Sequence, residues 1–229
     1  MVSVKGNWQI WKKKPSVEQR TFLRVKGSLK EMESAKQLRE IIKKIYKPEM
    51  HILDVGCAAG HYYHSLRRID KNIKYTGIDS TKDYIRFGKK FFDKNKNVSL
   101  SLGNIFDLNK KFKKNYDITF CCNLLLHLPS IEIPIRNLLQ TSKKFCIIRT
   151  LLSNKSHLSK FLYTDSFNSK NDPKDFVYQN TYSYDFIKKV INKNGRYKIR
   201  FIKDDFNAIK VNNEFNMFKK KQQGVTKAI

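Results

Sequence analysis

No run in this sequence approaches the roughly 18 consecutive apolar residues of a membrane-spanning helix, and the first fifteen residues carry Lys and Trp but no apolar core of secretion-signal length. Only four cysteines occur, Cys57, Cys121, Cys122 and Cys146, each inside an apolar run. No pair has zinc-ligand spacing and none brackets a loop, so neither a metal centre nor a disulfide framework is expected. They read as small buried residues of a reducing compartment. Nine Gly and five Pro are too few for collagen-like or linker sequence. Acidic residues are sparse as well, 20 against 47 basic, for a formal net charge of +27. The expectation is a soluble, unsecreted, cytoplasmic protein with no membrane span.

Within the basic excess Arg is scarce, 10 of the 47. Arg reads phosphates and bases bidentately, so a Lys-dominated surplus is a weak pointer to nucleic acid. Lys, Asn and Ile make up about a third of the chain, as AT-rich coding sequence also produces. Two readings therefore stand, a solvated Lys surface and a polyanionic partner, and the first is favoured. The chain's 229 residues, 40 % apolar and 13 % aromatic, can bury a core as one domain. That content argues against disorder despite a mean hydropathy of −0.58.

Periodicity places the elements. Glu31 to Tyr46 sets Met32, Ala35, Leu38, Ile41, Ile42 and Ile45 at helical spacing, ended by Pro48. His51 to Val55 reads as a strand, Gly56-Cys57-Ala58-Ala59-Gly60 as a tight turn, and His61 to Ile69 as a helix. Strands follow at Ile73–Ile78, Val98–Leu102, Tyr116–Cys122 and Phe145–Leu151, with helices to about Asp93 and over Ile131–Gln140. Such alternation predicts an α/β fold with a doubly wound, mostly parallel sheet and helices on both faces. Further on, Tyr184–Asn192 reads as a helix, and Tyr197–Ile202 and Phe206–Val211 as late strands. Between the fifth strand and that helix, residues 153–180 form a long irregular stretch of the kind that acts as a lid. No internal repeat is present.

Asp54-x-Gly56-x-Ala58-x-Gly60 after a strand, with Asp79 ending the next strand, is a nucleoside-site pattern. Small residues admit a ligand to the backbone, and Asp79 can accept both ribose hydroxyls. A helix N-cap is the alternative reading of Asp79. The dinucleotide pattern G-x-G-x-x-G fails, because Ala58 and His61 occupy its later glycine positions.

Four segments in order, Ile52-Leu53-Asp54-Val55-Gly56-Cys57-Ala58-Ala59-Gly60, Tyr75-Thr76-Gly77-Ile78-Asp79, Gly103-Asn104-Ile105-Phe106 and Tyr116-Asp117-Ile118-Thr119-Phe120 with Leu125-Leu126-His127-Leu128-Pro129, resemble the successive motifs of class I S-adenosylmethionine-dependent methyltransferases. The resemblance covers about residues 30–150. It implies a seven-stranded sheet and S-adenosylmethionine as cofactor, with S-adenosylhomocysteine as product. By the same resemblance Asp54, Gly56, Cys57, Ala58 and Gly60 line its methionyl part, Asp79 and Ser80 its ribose, Asn104 and Ile105 its adenine, and Cys122 and Asn123 border it. Ala58 stands where the family usually has its middle glycine, and Asn104 where an aspartate is common.

Methyl transfer from a sulfonium is an in-line displacement that chiefly requires positioning, with a base useful for a hydroxyl acceptor. His127 at the lip of the fourth strand is the candidate base, its alternative being a structural histidine of the Leu-His-Leu-Pro turn. His61 is expected to cap the cofactor site, and His64 to pack or face solvent. Tyr62, Tyr163 and Tyr178 are candidate substrate contacts. Residues 1–30, with Trp8 and Trp11, are expected to form an N-terminal lid, residues 31–212 the catalytic domain, and 213–229 a basic tail. Carboxylates and aromatics in 153–180 suit a small molecule or glycan better than a phosphodiester backbone. The stretch from Cys146 to Tyr184 is also similar to methyltransferases of surface-polysaccharide function. The expected function is therefore O- or N-methylation of a small-molecule or glycan acceptor. An RNA or DNA methyltransferase using the basic surface, or a non-catalytic cofactor-binding subunit, are the alternatives.

Overall fold

The computed structural model describes residues 15–112, 116–162, 167–171 and 174–204. Its centre is β1 (His51–Val55), where Ile52, Leu53, Asp54 and Val55 are all buried. A strand covered on both faces needs apolar residues in succession, and this one has them. Ile52 points into a core shared with Ala35, Leu38 and Ile42 of α2 (Glu33–Lys43), Tyr63 and Leu66 of α3 (Tyr63–Leu66), and Tyr84 and Ile85 of α4 (Lys82–Phe91). Leu53 and Val55 point the opposite way, into a core with Ile135 and Leu138 of α6 (Glu132–Thr141) and Ile187 and Val190 of α7 (Tyr184–Asn192). The two-residue period of one strand thus explains why helices cover both faces.

β2 (Lys74–Asp79) and β3 (Val98–Leu102) extend the sheet on one side of β1, and β4 (Tyr116–Cys122) and β5 (Ser142–Arg149) on the other, in the order β3-β2-β1-β4-β5. Every pairing is parallel. The direction of winding reverses at β1, which opens a crevice at the carboxyl ends of β1 and β4.

The expected seven strands are corrected to five in the main sheet among the described residues. Tyr197–Ile202 makes no ladder. Ile199 and Phe201 pack against the second core, and Phe201 meets the ring of Tyr184 edge-on at 5.0 Å, so packing rather than pairing holds this stretch. Phe206–Val211 lies outside the described residues.

The described part of residues 153–180 carries more regular structure than its composition predicts. β6 (Leu152–Ser153) pairs with β9 (Tyr182–Ser183), and β7 (Lys160–Leu162) pairs antiparallel with β8 (Phe176–Tyr178). Asn180, fully buried, ties this ribbon down: its Nδ2 donates to the Leu128 carbonyl at 2.9 Å, its Oδ1 accepts from the Ser159 N–H at 3.2 Å, and its own N–H donates to the Leu126 carbonyl at 2.9 Å. The helix expected over His61–Ile69 contracts to the single turn of α3, continued by tighter i→i+3 bonds such as Ile69 N–H to the Leu66 carbonyl.

The first helix, α1 (Pro15–Val25), was not visible in the hydrophobic pattern. Pro15 starts it where a missing N–H costs nothing, and Glu18 in its first turn suits the helix dipole. Phe22 fastens it to α4, stacking on Phe87 at 3.9 Å and meeting Tyr84 edge-on at 6.2 Å.

Candidate functional site

A cleft of about 280 Å³ lies at the carboxyl ends of β1, β2 and β4, beneath α1. Its floor is the turn after β1. Gly56 (φ +84°) receives the ladder's last bonds, with its N–H and that of Cys57 both donating to the Ile78 carbonyl at 2.8 and 3.0 Å. A Cβ on Gly56 would stand 2.9 Å from Leu124 Cδ2, so only glycine fits both the left-handed backbone and the neighbour. Ala58 is also left-handed (φ 51°), the conformation that explains why a glycine is the usual occupant.

Asp79, at the end of β2, links this turn to the next. Its Oδ2 accepts the Ala58 N–H at 2.9 Å and its Oδ1 the Thr81 N–H at 2.8 Å. The Thr81 hydroxyl and the Ser80 N–H also bond this carboxylate, so Asp79 caps the turn while bordering the cleft. Burial pushes this carboxyl up from its ordinary range, opposed by the backbone donors.

The structure brings Gly56, Ala58, Asp79 and Ser80 to the cleft wall, together with Ile105, Cys122 and Asn123. Tyr62 and His127, the candidate substrate contact and base, also line it, as does His61. Asp54, Cys57, Gly60 and Asn104 stand off the wall. Asp54 is 1 % exposed beneath the turn and accepts the Tyr75 hydroxyl at 2.6 Å. Burial pushes its carboxyl up to about 8, with Asp79 adding to the rise. The Cys57 thiol is buried and directed at the Ala58 carbonyl. Gly60 faces Phe92 and Leu100. Asn104 caps the short 3-10 turn at Ile105–Asp107, accepting the Phe106 N–H at 2.9 Å.

His127 closes another 3-10 turn, Leu125–His127, after β4. Its Nδ1 lies 2.8 Å from the Tyr178 carbonyl, which fixes the proton on Nδ1 and the ring lone pair on Nε2. Burial lowers its pKa, opposed by that bond, so the ring is neutral at pH 7. Tyr178 thus meets the site through its backbone, while its ring packs on Phe176 at 5.2 Å. No side chain of 153–180 is on the cleft wall among the described residues. Tyr163, Trp8 and Trp11 lie outside them. His64 packs as expected, its Nε2 2.5 Å from the Val25 carbonyl. No cluster of His, Cys, Asp and Glu able to hold a metal occurs among the described residues.

Within the segment expected as a lid, the sequence reading singled out Trp8 and Trp11 and not the residues of α1 that line the cleft. Val17, Thr21 and Arg24 of α1, seven residues from first to last and so on one helix face, line the cleft. A stripe of one Val, one Thr and one Arg carries too little hydrophobic signal to announce a buried face. The Pro15 and Glu18 start signal was the available clue.

The methyltransferase-domain family matches residues 46–224. No curated protein compared matches the sequence. Among solved structures, the chain is similar to the glycopeptide N-methyltransferase MtfA complexed with sinefungin (TM-score 0.55, 8 % identity, 72 % of this chain and 84 % of that one). It is similar also to the N-terminal domain of EvdMO1 with SAH bound (TM-score 0.51, 12 % identity, 70 % and 71 %). A third is a protein assigned as a sarcosine dimethylglycine methyltransferase from Galdieria sulphuraria (TM-score 0.51, 12 % identity). The alignment takes in 73 % of this chain but spans only 62 % of the Galdieria protein's length. Identities this low describe a shared fold. The family match, which runs from the start of β1 through every strand of the main sheet, carries more: the chain belongs to the methyltransferase-domain family.

Proposed function

We propose that this protein transfers a methyl group from S-adenosylmethionine to a small-molecule or glycan acceptor, at oxygen or nitrogen. The observation that carries the reading is Asp79, a carboxylate on the cleft wall beside a turn of small residues at the switch point of a parallel sheet. A carboxylate at the end of the second strand, facing the cleft, is placed to accept the paired hydroxyls of a ribose. Ile105 and Gly103 offer an apolar wall for a purine, and Ser80 borders it. The similar structures bound to sinefungin and to SAH support a nucleoside of this kind.

When bound, S-adenosylmethionine supplies a methyl carbon already activated by its sulfonium. The chain's residues then have to position and deprotonate. Tyr62 and Cys122, both on the cleft wall, restrict the approach, and the Cys122 thiol, pushed up to about 12 by burial, stays protonated and unreactive. The Nε2 lone pair of His127 takes the proton of a hydroxyl or ammonium acceptor. Similarity to a glycopeptide N-methyltransferase favours nitrogen or a glycan-bearing acceptor without deciding between them.

Calorimetry with S-adenosylhomocysteine tests the reading. Asp79→Ala removes two charge-assisted bonds and is expected to weaken binding about ten- to hundredfold. A melting curve separates this from loss of the Ala58 and Thr81 contacts. Equal affinity in both proteins would remove Asp79 from the ligand. A methyl-transfer screen over sugars, small metabolites and RNA then identifies the acceptor.

A further inference from the structure

Between Phe186 and Lys203 the chain carries seven basic residues and no Asp or Glu. All seven are exposed, and none forms an ion pair among the described residues, unlike Lys36 with Glu33 or Lys144 with Asp117. The second half of this stretch has an order of its own. Ile199 and Phe201 are half-buried against the core of α6 and α7, whereas Arg196, Lys198 and Arg200 face solvent. A two-residue period of this kind sets successive cations about 7 Å apart along an extended chain, all on one side. The charges form a row. Its far end is fastened: Gln37 Nε2 donates to the Lys203 carbonyl at 3.0 Å, and Asp204 pairs with Arg149, whose guanidinium also donates to Asn123 Oδ1. Asn123 is on the cleft wall, so the row ends at the cleft.

We propose that this row binds an acidic glycan, a sugar chain with negative charges along its length, and leads it to the cleft at Asn123. Calling that chain the methyl acceptor rests on the function proposed above; the binding itself does not. Cations without counter-charges on the protein gain by releasing their counterions when a polyanion lies along them. Single-stranded nucleic acid is the competing polyanion, and its sites add aromatic faces on which successive bases stack. Tyr197 is the one exposed aromatic from Phe186 to Lys203, and its hydroxyl is tied back to the Asn194 carbonyl at 3.3 Å. Charge is repeated along the row, and stacking is not.

The test measures affinity of the full chain for polygalacturonate, for dextran as an uncharged glycan and for poly(U) RNA, at about 100 mM salt. The triple variant Arg196→Ser/Lys198→Ser/Arg200→Ser is compared with Lys89→Ser/Lys90→Ser/Lys94→Ser, which removes the same charge from exposed positions on α4 and just beyond it. Melting curves confirm that both variants fold. The row variant is expected to lose about ten- to hundredfold for polygalacturonate and the α4 variant less than about threefold, with dextran not bound. Equal affinities of the two variants would reduce the binding to net charge and overturn the proposal, as would polygalacturonate binding no tighter than dextran. Tighter binding of poly(U), lost in the row variant, overturns it in favour of RNA. Amide hydrogen exchange reads the direction of the bound chain: polygalacturonate is expected to slow exchange at 196–204 and at 123–127, and slowing at 196–204 alone overturns delivery to the cleft. If the row variant loses polygalacturonate as expected but wild type does not bind S-adenosylhomocysteine, the glycan surface stands and the methyl-transfer reading fails instead.

Discussion

Asp54 and Asp79 are two carboxyls of one nucleoside-site pattern, separated in role by a few ångströms of burial. Asp79 meets the cleft and the donors of its own and the neighbouring turn, Ala58, Ser80 and Thr81, whereas Asp54 has a single neutral donor and stands off the cleft wall. With its carboxyl raised to about 8, Asp54 remains protonated in the folded chain while the unfolded chain releases the proton near pH 4. Its contribution to stability is therefore full below about pH 4 and is lost as pH rises toward 8, at about 1.4 kcal/mol per unit for this one group. Asp54→Asn, which keeps the shape and the acceptor for Tyr75, should flatten the dependence of the denaturation midpoint on pH between 5 and 8. An unchanged slope would mean that Asp54 is ionised in the fold.

At the scale of elements, α4 and the ribbon of 153–180 hold the turns that follow β1 and β4. Gly88 shows how near α4 comes: a Cβ there would lie 2.6 Å from the Ala59 carbonyl oxygen and 2.5 Å from Leu100 Cδ1. Gly88→Ala gains about 1 kcal/mol of helix propensity but forces backbone apart at a cost of about 1–3 kcal/mol. A net fall in Tm is expected, together with weaker nucleoside binding as the turn shifts; a rise in Tm would show that α4 moves freely. Asn180 plays the matching part for the ribbon, joining Ser159 to the Leu126 and Leu128 carbonyls beside His127. Asn180→Ala keeps the backbone bond to Leu126 but removes the side-chain donor of the Leu128 carbonyl and the acceptor of the Ser159 N–H, a loss of about 1–3 kcal/mol. Limited proteolysis should cut between 155 and 178 faster in this variant, and cleavage at the wild-type rate would assign the anchoring elsewhere.

For the whole molecule, a charge of +27 guarantees electrostatic attraction to polyanions without specifying one. No helix of the described residues is long and apolar enough to cross a membrane. If the Lys surface has no dedicated nucleic-acid partner, binding to unstructured RNA should collapse between about 50 and 200 mM salt, as counterion release requires, with no methyl incorporated. Tight, sequence-dependent binding at physiological salt with methyl transfer would make RNA the acceptor.

What was legible in the chain is what local chemistry dictates. β3, β4 and α7 run over the predicted residues, because strand and helix periods are properties of neighbouring positions. Likewise the turn at Gly56 and the carboxylate at Asp79 were readable from small residues after an apolar run. Tertiary structure alone decided which face each residue meets. It buried Asp54 and turned Asn104 to capping, brought Tyr178 to His127 by a carbonyl that has no sequence signature, and laid α1 over the cleft with an Arg and a Thr facing inward. A polar residue facing a cleft and one facing solvent satisfy the same helical period. Only the packing of distant segments removes water from one of them and not from the other.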